Sequence, residues 1–98
     1  MNSITKVSDI SVADLVEYLN LYEIEPEQEN TLNNMLSVAK AFIKGYTGQE
    51  DLDAHQDFVI VVLVLVQDMW DNRTLYVDKT NLNNVVETIL GMHSVNLL

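Results

Sequence analysis

Two histidines and fifteen carboxylates are the side chains with which this 98-residue chain could perform acid–base or metal chemistry, and it contains no cysteine. His55 and His93 stand far apart in sequence. Neither has a second histidine three or four positions away, the spacing that places two imidazoles on one helical face as a ligand pair. Asp51 precedes His55 by four residues, but an acidic helix start supplies such pairs without any metal. The lack of cysteine removes thiolate nucleophiles, thiolate metal sites and disulfides together. No serine sits in a G-x-S-x-G turn, and three glycines do not build a phosphate-cradling loop. Glu25, Glu27 and Glu29 cluster, but where a helix start favours acids; a general acid needs a buried, perturbed carboxyl. These residues predict no catalytic site, no metal and no cofactor.

One short stretch carries a different signal, Asp68-Met-Trp-Asp-Asn-Arg73. Trp70 is the only tryptophan and Arg73 the only arginine of the chain. Both types are enriched at the energetic centres of protein interfaces. Arg73 has an internal role open to it as well: capping the last carbonyls of the preceding helix, or stacking on Trp70 or Tyr76. The two roles are compatible, because a pinned loop makes a good docking surface.

The elements that must position this stretch follow from hydropathy. Nearly half the residues are apolar and a fifth are charged, too hydrophobic a mixture for a disordered chain. Ninety-eight residues predict one domain. Residues 1–10 are polar and aperiodic, and read as a flexible arm, either loose or ordered by a partner; residues 11–98 read as a single helical domain. Ser11 is a helix cap with Asp14 three residues on, and Val12, Leu15, Val16 and Leu19 share one face. Pro26 opens a second helix, with Glu27 and Glu29 in its first turn. Leu32, Met35, Leu36, Ala39, Phe42, Ile43 and Tyr46 form its stripe, and Gly45 and Gly48 bracket its end.

The run Phe58–Val66 is rich in β-branched residues, and propensity alone predicts a strand. No comparable second strand exists to pair with it, and its flanks continue without a turn residue. The reading is therefore a central buried helix over about residues 51–72. Leu75, Tyr76 and Val77 predict a short extended stretch. A fourth helix starts near Thr80 or Asn81 and runs to Met92. The fold expected is all-α, a compact bundle of about four helices. The longest apolar run has nine residues, well short of the roughly twenty that a membrane span requires, and the start of the chain does not resemble a signal peptide. The expectation is a soluble protein without membrane partners.

The net charge of −10 disfavours nucleic-acid binding, which needs clustered Lys and Arg; here Lys6, Lys40, Lys44, Arg73 and Lys79 are scattered. Acidity simply keeps many proteins soluble, and it would also keep DNA from adhering to a wall it slides past.

Three segments, in this order, resemble a known family. They are Phe42-Ile-Lys-Gly-Tyr-Thr-Gly48 before an acidic turn, the apolar helix closing on Met69-Trp-Asp-Asn-Arg73, and Asn81-Leu-Asn-Asn-Val-Val-Glu-Thr-Ile-Leu90 followed by a short apolar tail. From about residue 10 onward the chain resembles the head–tail connector, or DNA-packaging and head-completion adaptor, proteins of long-tailed bacteriophages. The resemblance implies a compact all-α subunit without catalytic residues, assembled with itself into a ring of about twelve copies. Such a ring sits beneath the portal protein in the virion, meets a head-closure or tail-completion protein, and extends the DNA channel; before assembly the subunit resides in the host cytoplasm. Trp70, Asn72 and Arg73 would close the central helix and fix the following loop. The tail, through Val95, Leu97 and Leu98, would dock on a neighbour or on the portal. Where the family often has a basic residue after the final helix, this chain has His93. A second reading is an acidic, non-enzymatic binding module that inhibits or regulates a nucleic-acid-binding protein, by mimicking DNA in a basic groove.

Overall fold

The computed structural model describes residues 4–94. The described residues form four α-helices, α1 (Val12–Tyr18), α2 (Pro26–Thr47), α3 (Phe58–Asn72) and α4 (Asn84–His93), with one 3-10 turn (Val7–Asp9) ahead of α1 and one in each of the loops that flank α3. No strand occurs among the described residues, so the all-α expectation holds.

Local chemistry sets most of the helix ends. Ser11 caps α1 reciprocally: its Oγ accepts from the Asp14 N–H, and Asp14 Oδ2 accepts from the Ser11 N–H at 2.8 Å. Asn20, with φ 60°, turns the chain left-handed just beyond this helix. Pro26 opens α2, and Glu25 and Gln28 form a second reciprocal cap around it. Gly48, at φ 73°, ends α2 with its N–H on the Lys44 carbonyl. Only a residue without a side chain takes that φ at little cost. Thr47 is buried, and its hydroxyl donates to the Ile43 carbonyl at 2.7 Å, so it brings no unsatisfied polar group into the core.

α3 is the centre of the core. Phe58, Val59, Val61, Val62, Leu63, Leu65, Val66, Met69 and Trp70 are all buried. α2 packs along it with Leu32, Met35, Leu36, Ala39 and Ile43. α4 covers another side with Val86 and Leu90, and α1 contributes Leu15. Each fully buried aliphatic or aromatic side chain contributes about 1.5–3 kcal/mol of transfer free energy. That sum overrides the strand propensity of the valine-rich run, because a helix packed against other helices over most of its circumference buries these side chains while satisfying its own backbone, leaving only a strip through Ile60, Gln67 and Asp71 open.

Four boundaries differ from the sequence reading. α3 begins at Phe58 and not near residue 51, because Asp51 caps a separate 3-10 turn at Leu52–Ala54 and His55 is extended. The expected arm is not loose over residues 4–10: Val7 and Ile10 are buried, and Ser8 donates from both its N–H and its hydroxyl to the Asp53 carboxylate. These bonds hold Asp53 below the ordinary carboxylate range, the Ser8 hydroxyl contributing most. Leu75, Tyr76 and Val77 lie in a bend and an irregular loop and form no strand. α4 starts at Asn84, because Asp78 caps another 3-10 turn (Lys79–Asn81) and the Asn83 side chain then accepts from the Val85 N–H at 2.8 Å.

Val62 and Ile60 give a contrast within α3, since Val62 is wholly buried while Ile60 is 50 % exposed. Val62→Asp places an unpaired charge in the core, costing several kcal/mol against a total stability of about 5–15 kcal/mol. Far-UV circular dichroism is expected to show an unfolded or barely folded chain. Ile60→Asp should keep a cooperative thermal transition.

Candidate docking groove at the end of the third helix

α3 ends in a left-handed turn. Arg73 adopts φ 53°, ψ 46°, its N–H bonds back to the Met69 and Trp70 carbonyls, and the Thr74 N–H reaches the Met69 carbonyl at 3.0 Å. The carbonyls that a helix end leaves open are thereby satisfied. Asn72 adds a side-chain tie, its Nδ2 donating to the Asp68 carbonyl at 2.8 Å. A left-handed residue with a full side chain is strained unless something holds it. The Arg73 guanidinium lies 4.4 Å from the centre of the Trp70 ring, a cation–π contact that supplies the hold. Of the roles the sequence left open for Arg73, backbone capping and stacking on Trp70 are the ones present.

The chain then loops out over residues 74–82. Asp78 organises the far side, accepting from the Thr80 N–H at 3.0 Å, the Thr80 hydroxyl at 2.7 Å and Asn81 Nδ2 at 2.8 Å. Led by Asn81, these donors hold its carboxyl below the ordinary range. The Lys79 ammonium sits 5.8 Å from the centre of the Tyr46 ring and draws the loop toward α2.

Between loop and helix lies a half-enclosed groove of about 490 Å³. Its floor is Leu65 and Met69, both buried in the core. Asp68, Asn72 and Thr74 form one wall; Val77, Asp78, Asn81 and Leu82 form the other. Tyr76 stands at the rim, 65 % exposed, next to a half-exposed Leu75. Partial burial pushes the Asp68 carboxyl up, and the nearby Asp71 adds to the effect.

Asn72 and Tyr76 line this groove. Trp70 does not line it; it is 7 % exposed and anchors the turn beneath Arg73. Val95, Leu97 and Leu98 lie outside the described residues. The walls contributed by Asp68, Asp78, Asn81 and Leu82 were missed. The Asp-x-Thr-Asn spacing of residues 78–81 is the one local signal that could have found part of them, as an Asx-type turn.

The two histidines, distant in sequence, meet at the other end of α3. Their rings are 4.0 Å apart, centre to centre, and His93 Nε2 lies 2.8 Å from Asp57 Oδ2. Phe58 sets its ring edgewise to both imidazoles, and Gln49 Nε2 donates to the His93 carbonyl at 2.8 Å. This clasp fastens the last turn of α4 to the turn before α3. The rings lie against each other and do not converge on a common point. No group of three or more His, Asp or Glu among the described residues is arranged to hold a metal ion.

On α4, Val85 and Met92 are more than half exposed, with Ile89 partly exposed between them. Spacings of four and three put them on one face, a narrow apolar strip beside the buried Val86 and Leu90. No helix among the described residues is long and apolar enough to cross a membrane. The fold and surface together define a small all-α domain with a groove at one end of its central helix and a clasp at the other. No protein-family model, curated protein or solved structure matches the chain.

Two outcomes test this geometry. His93→Ala removes the Asp57 bond and the stack on His55, and should cost about 1–2 kcal/mol. That corresponds to a fall of roughly 4–8 °C in Tm per kcal/mol for a domain of this size. Asp68→Asn should raise stability at neutral pH by up to about 0.5 kcal/mol, the usual scale of a surface substitution. The sign follows from the raised carboxyl: its ionisation is less favourable folded than unfolded, so the wild type loses stability as pH climbs above the ordinary value of 3.8. Melts of the two proteins should therefore converge below that pH.

Proposed function

We propose that the chain is a structural subunit of a ring at the neck of a long-tailed bacteriophage, joining the portal to the tail and extending the DNA channel during head completion. The observation that carries this reading is the closure of α3. The segment Met69-Trp-Asp-Asn-Arg73, one of three by which the sequence resembles head–tail connector proteins, forms a braced left-handed turn that presents a groove and an exposed Tyr76. A docking element needs a rigid scaffold of this kind.

Other features support it. The exposed strip of Val85, Ile89 and Met92 offers apolar area for subunit contacts. A ring requires two different faces on each subunit, and α3 presents different structures at its two ends. The charge of −10 would make the channel wall non-adhesive to DNA. In this reading the partners are further copies of the chain, the portal protein and a head-closure or tail-completion protein. The subunit works without a catalytic group or cofactor, and its place is the virion.

Native mass spectrometry and electron microscopy at high protein concentration should reveal closed rings, alone or on isolated portal. A chain that stays monomeric in both settings would overturn the reading. Arg73→Ala provides a finer test. Loss of its stack on Trp70 should lower stability by only about 0.5–2 kcal/mol, while ring yield falls sharply because the loop behind the groove is released.

A further inference from the structure

The side chains around the groove have used their hydrogen-bond donors and kept their acceptors. Asn72 gives its Nδ2 to the Asp68 carbonyl, and Asn81 gives its Nδ2 to the Asp78 carboxylate. Each of these atoms must be the amide nitrogen, because a carbonyl or carboxylate oxygen takes only a donor. The Oδ1 atoms of both asparagines are therefore left as acceptors without a partner among the described residues. The Asp68 carboxylate also makes no hydrogen bond or ion pair among the described residues, and it is partly buried beside Asp71. A carboxylate has about four acceptor sites, and Asp78 fills three of them with Thr80 and Asn81. The Thr74 and Tyr76 hydroxyls can serve in either sense. No lysine or arginine lines the groove. Of the cations next to it in sequence, Arg73 lies on Trp70 and Lys79 is turned toward Tyr46. An apolar floor of Leu65 and Met69 is thus edged by acceptors that lack donors.

We propose that this groove receives an arginine side chain presented by a different protein. The methylene stem covers Leu65 and Met69, and the guanidinium meets Asp68 and the two amide oxygens. A guanidinium carries five donors and no acceptor in a planar fork, which suits several acceptors spread around one rim. A lysine ammonium is a compact, more strongly hydrated charge and matches that spread less well. The flat face of the guanidinium also suits the exposed Tyr76 ring. Charge complementarity points the same way. The chain carries a charge of −10, and Asp68, Asp71 and Asp78 gather at this end of α3. A second copy is not the donor, because Arg73 is the only arginine of the chain and is held on Trp70 within its own turn. This inference rests on the reading of the groove as a docking surface and names the side chain that it takes.

The probe is a blocked Gly-Arg-Gly tripeptide, titrated into the isotope-labelled full chain and followed by NMR. It should shift the amides of Met69 and of residues 74–82, and its affinity should fall as salt is added. Replacing its arginine by norleucine, which keeps an apolar stem, or by citrulline, which keeps the shape without the charge, should weaken binding at least about tenfold, the scale of a hydrogen bond to a charged group. Asp68→Asn in the protein should do the same while keeping the fold. Glu23→Gln, in the exposed loop between α1 and α2, removes the same charge elsewhere and should leave binding unchanged. Shifts that are absent or fall elsewhere, a norleucine peptide that binds as tightly, or an Asp68→Asn variant with full affinity would overturn the proposal. So would a lysine peptide of equal affinity, which would make the groove a general amine site. The titration is read on the free chain, so its failure is separate from a failure to form rings.

Discussion

α3 has almost no polar surface to offer water along most of its circumference, and the rest of the molecule is arranged around that constraint. Val61, Val62 and Val66 are wholly buried on it, with Phe58 at its start and Met69 near its end. A helix of this kind is stable only when other helices close over it. α2 supplies the longest cover, α4 and α1 take the remaining sides, and even Val7 and Ile10, ahead of the first α-helix, are drawn in. The acidic side chains are consequently left to loops, caps and outer faces, where Asp14, Asp51 and Asp78 each hold a turn.

What the sequence made legible follows the range of the physics involved. Ser11, Pro26 and Gly48 act within a turn of themselves, so the start of α1 and both ends of α2 can be read from type and spacing alone. The helical state of the Phe58–Asn72 segment was legible only by elimination, because its cause is the burial supplied by other segments. Its start was misplaced for a related reason. Asp51 and Asp53 look like first-turn acids, yet Asp53 is bound by Ser8, 45 residues earlier, and the extended His55 stacks on His93 from the other end of the domain. No local pattern encodes such contacts. Val7 and Ile10, spaced by three in a polar segment, were a faint sign that this stretch packs.

The groove was half legible. Trp70 and Arg73 drew attention as rare residues at a helix end, and their stack fixes the turn that opens the groove. Their part is to support, and the exposed lining comes from Asn72, Tyr76 and the 3-10 turn organised by Asp78. A tryptophan with 7 % exposure contributes by stiffness and leaves the exposed surface to its neighbours. Composition marks the neighbourhood of this groove more readily than its walls, because the walls are ordinary residues brought together by one left-handed residue at the helix end.

The clasp between His93 and Asp57 also bears on biosynthesis. Val86, Leu90 and His93 belong to the last described helix, so they leave the ribosome after every other part of the core. Until they emerge, the side of α3 that they cover is open, and a chain stalled before residue 84 would present a valine-rich surface to chaperones and proteases. A chain that lacks residues 84–93 therefore exposes apolar surface that the closed domain hides, and such products are prone to aggregation and degradation.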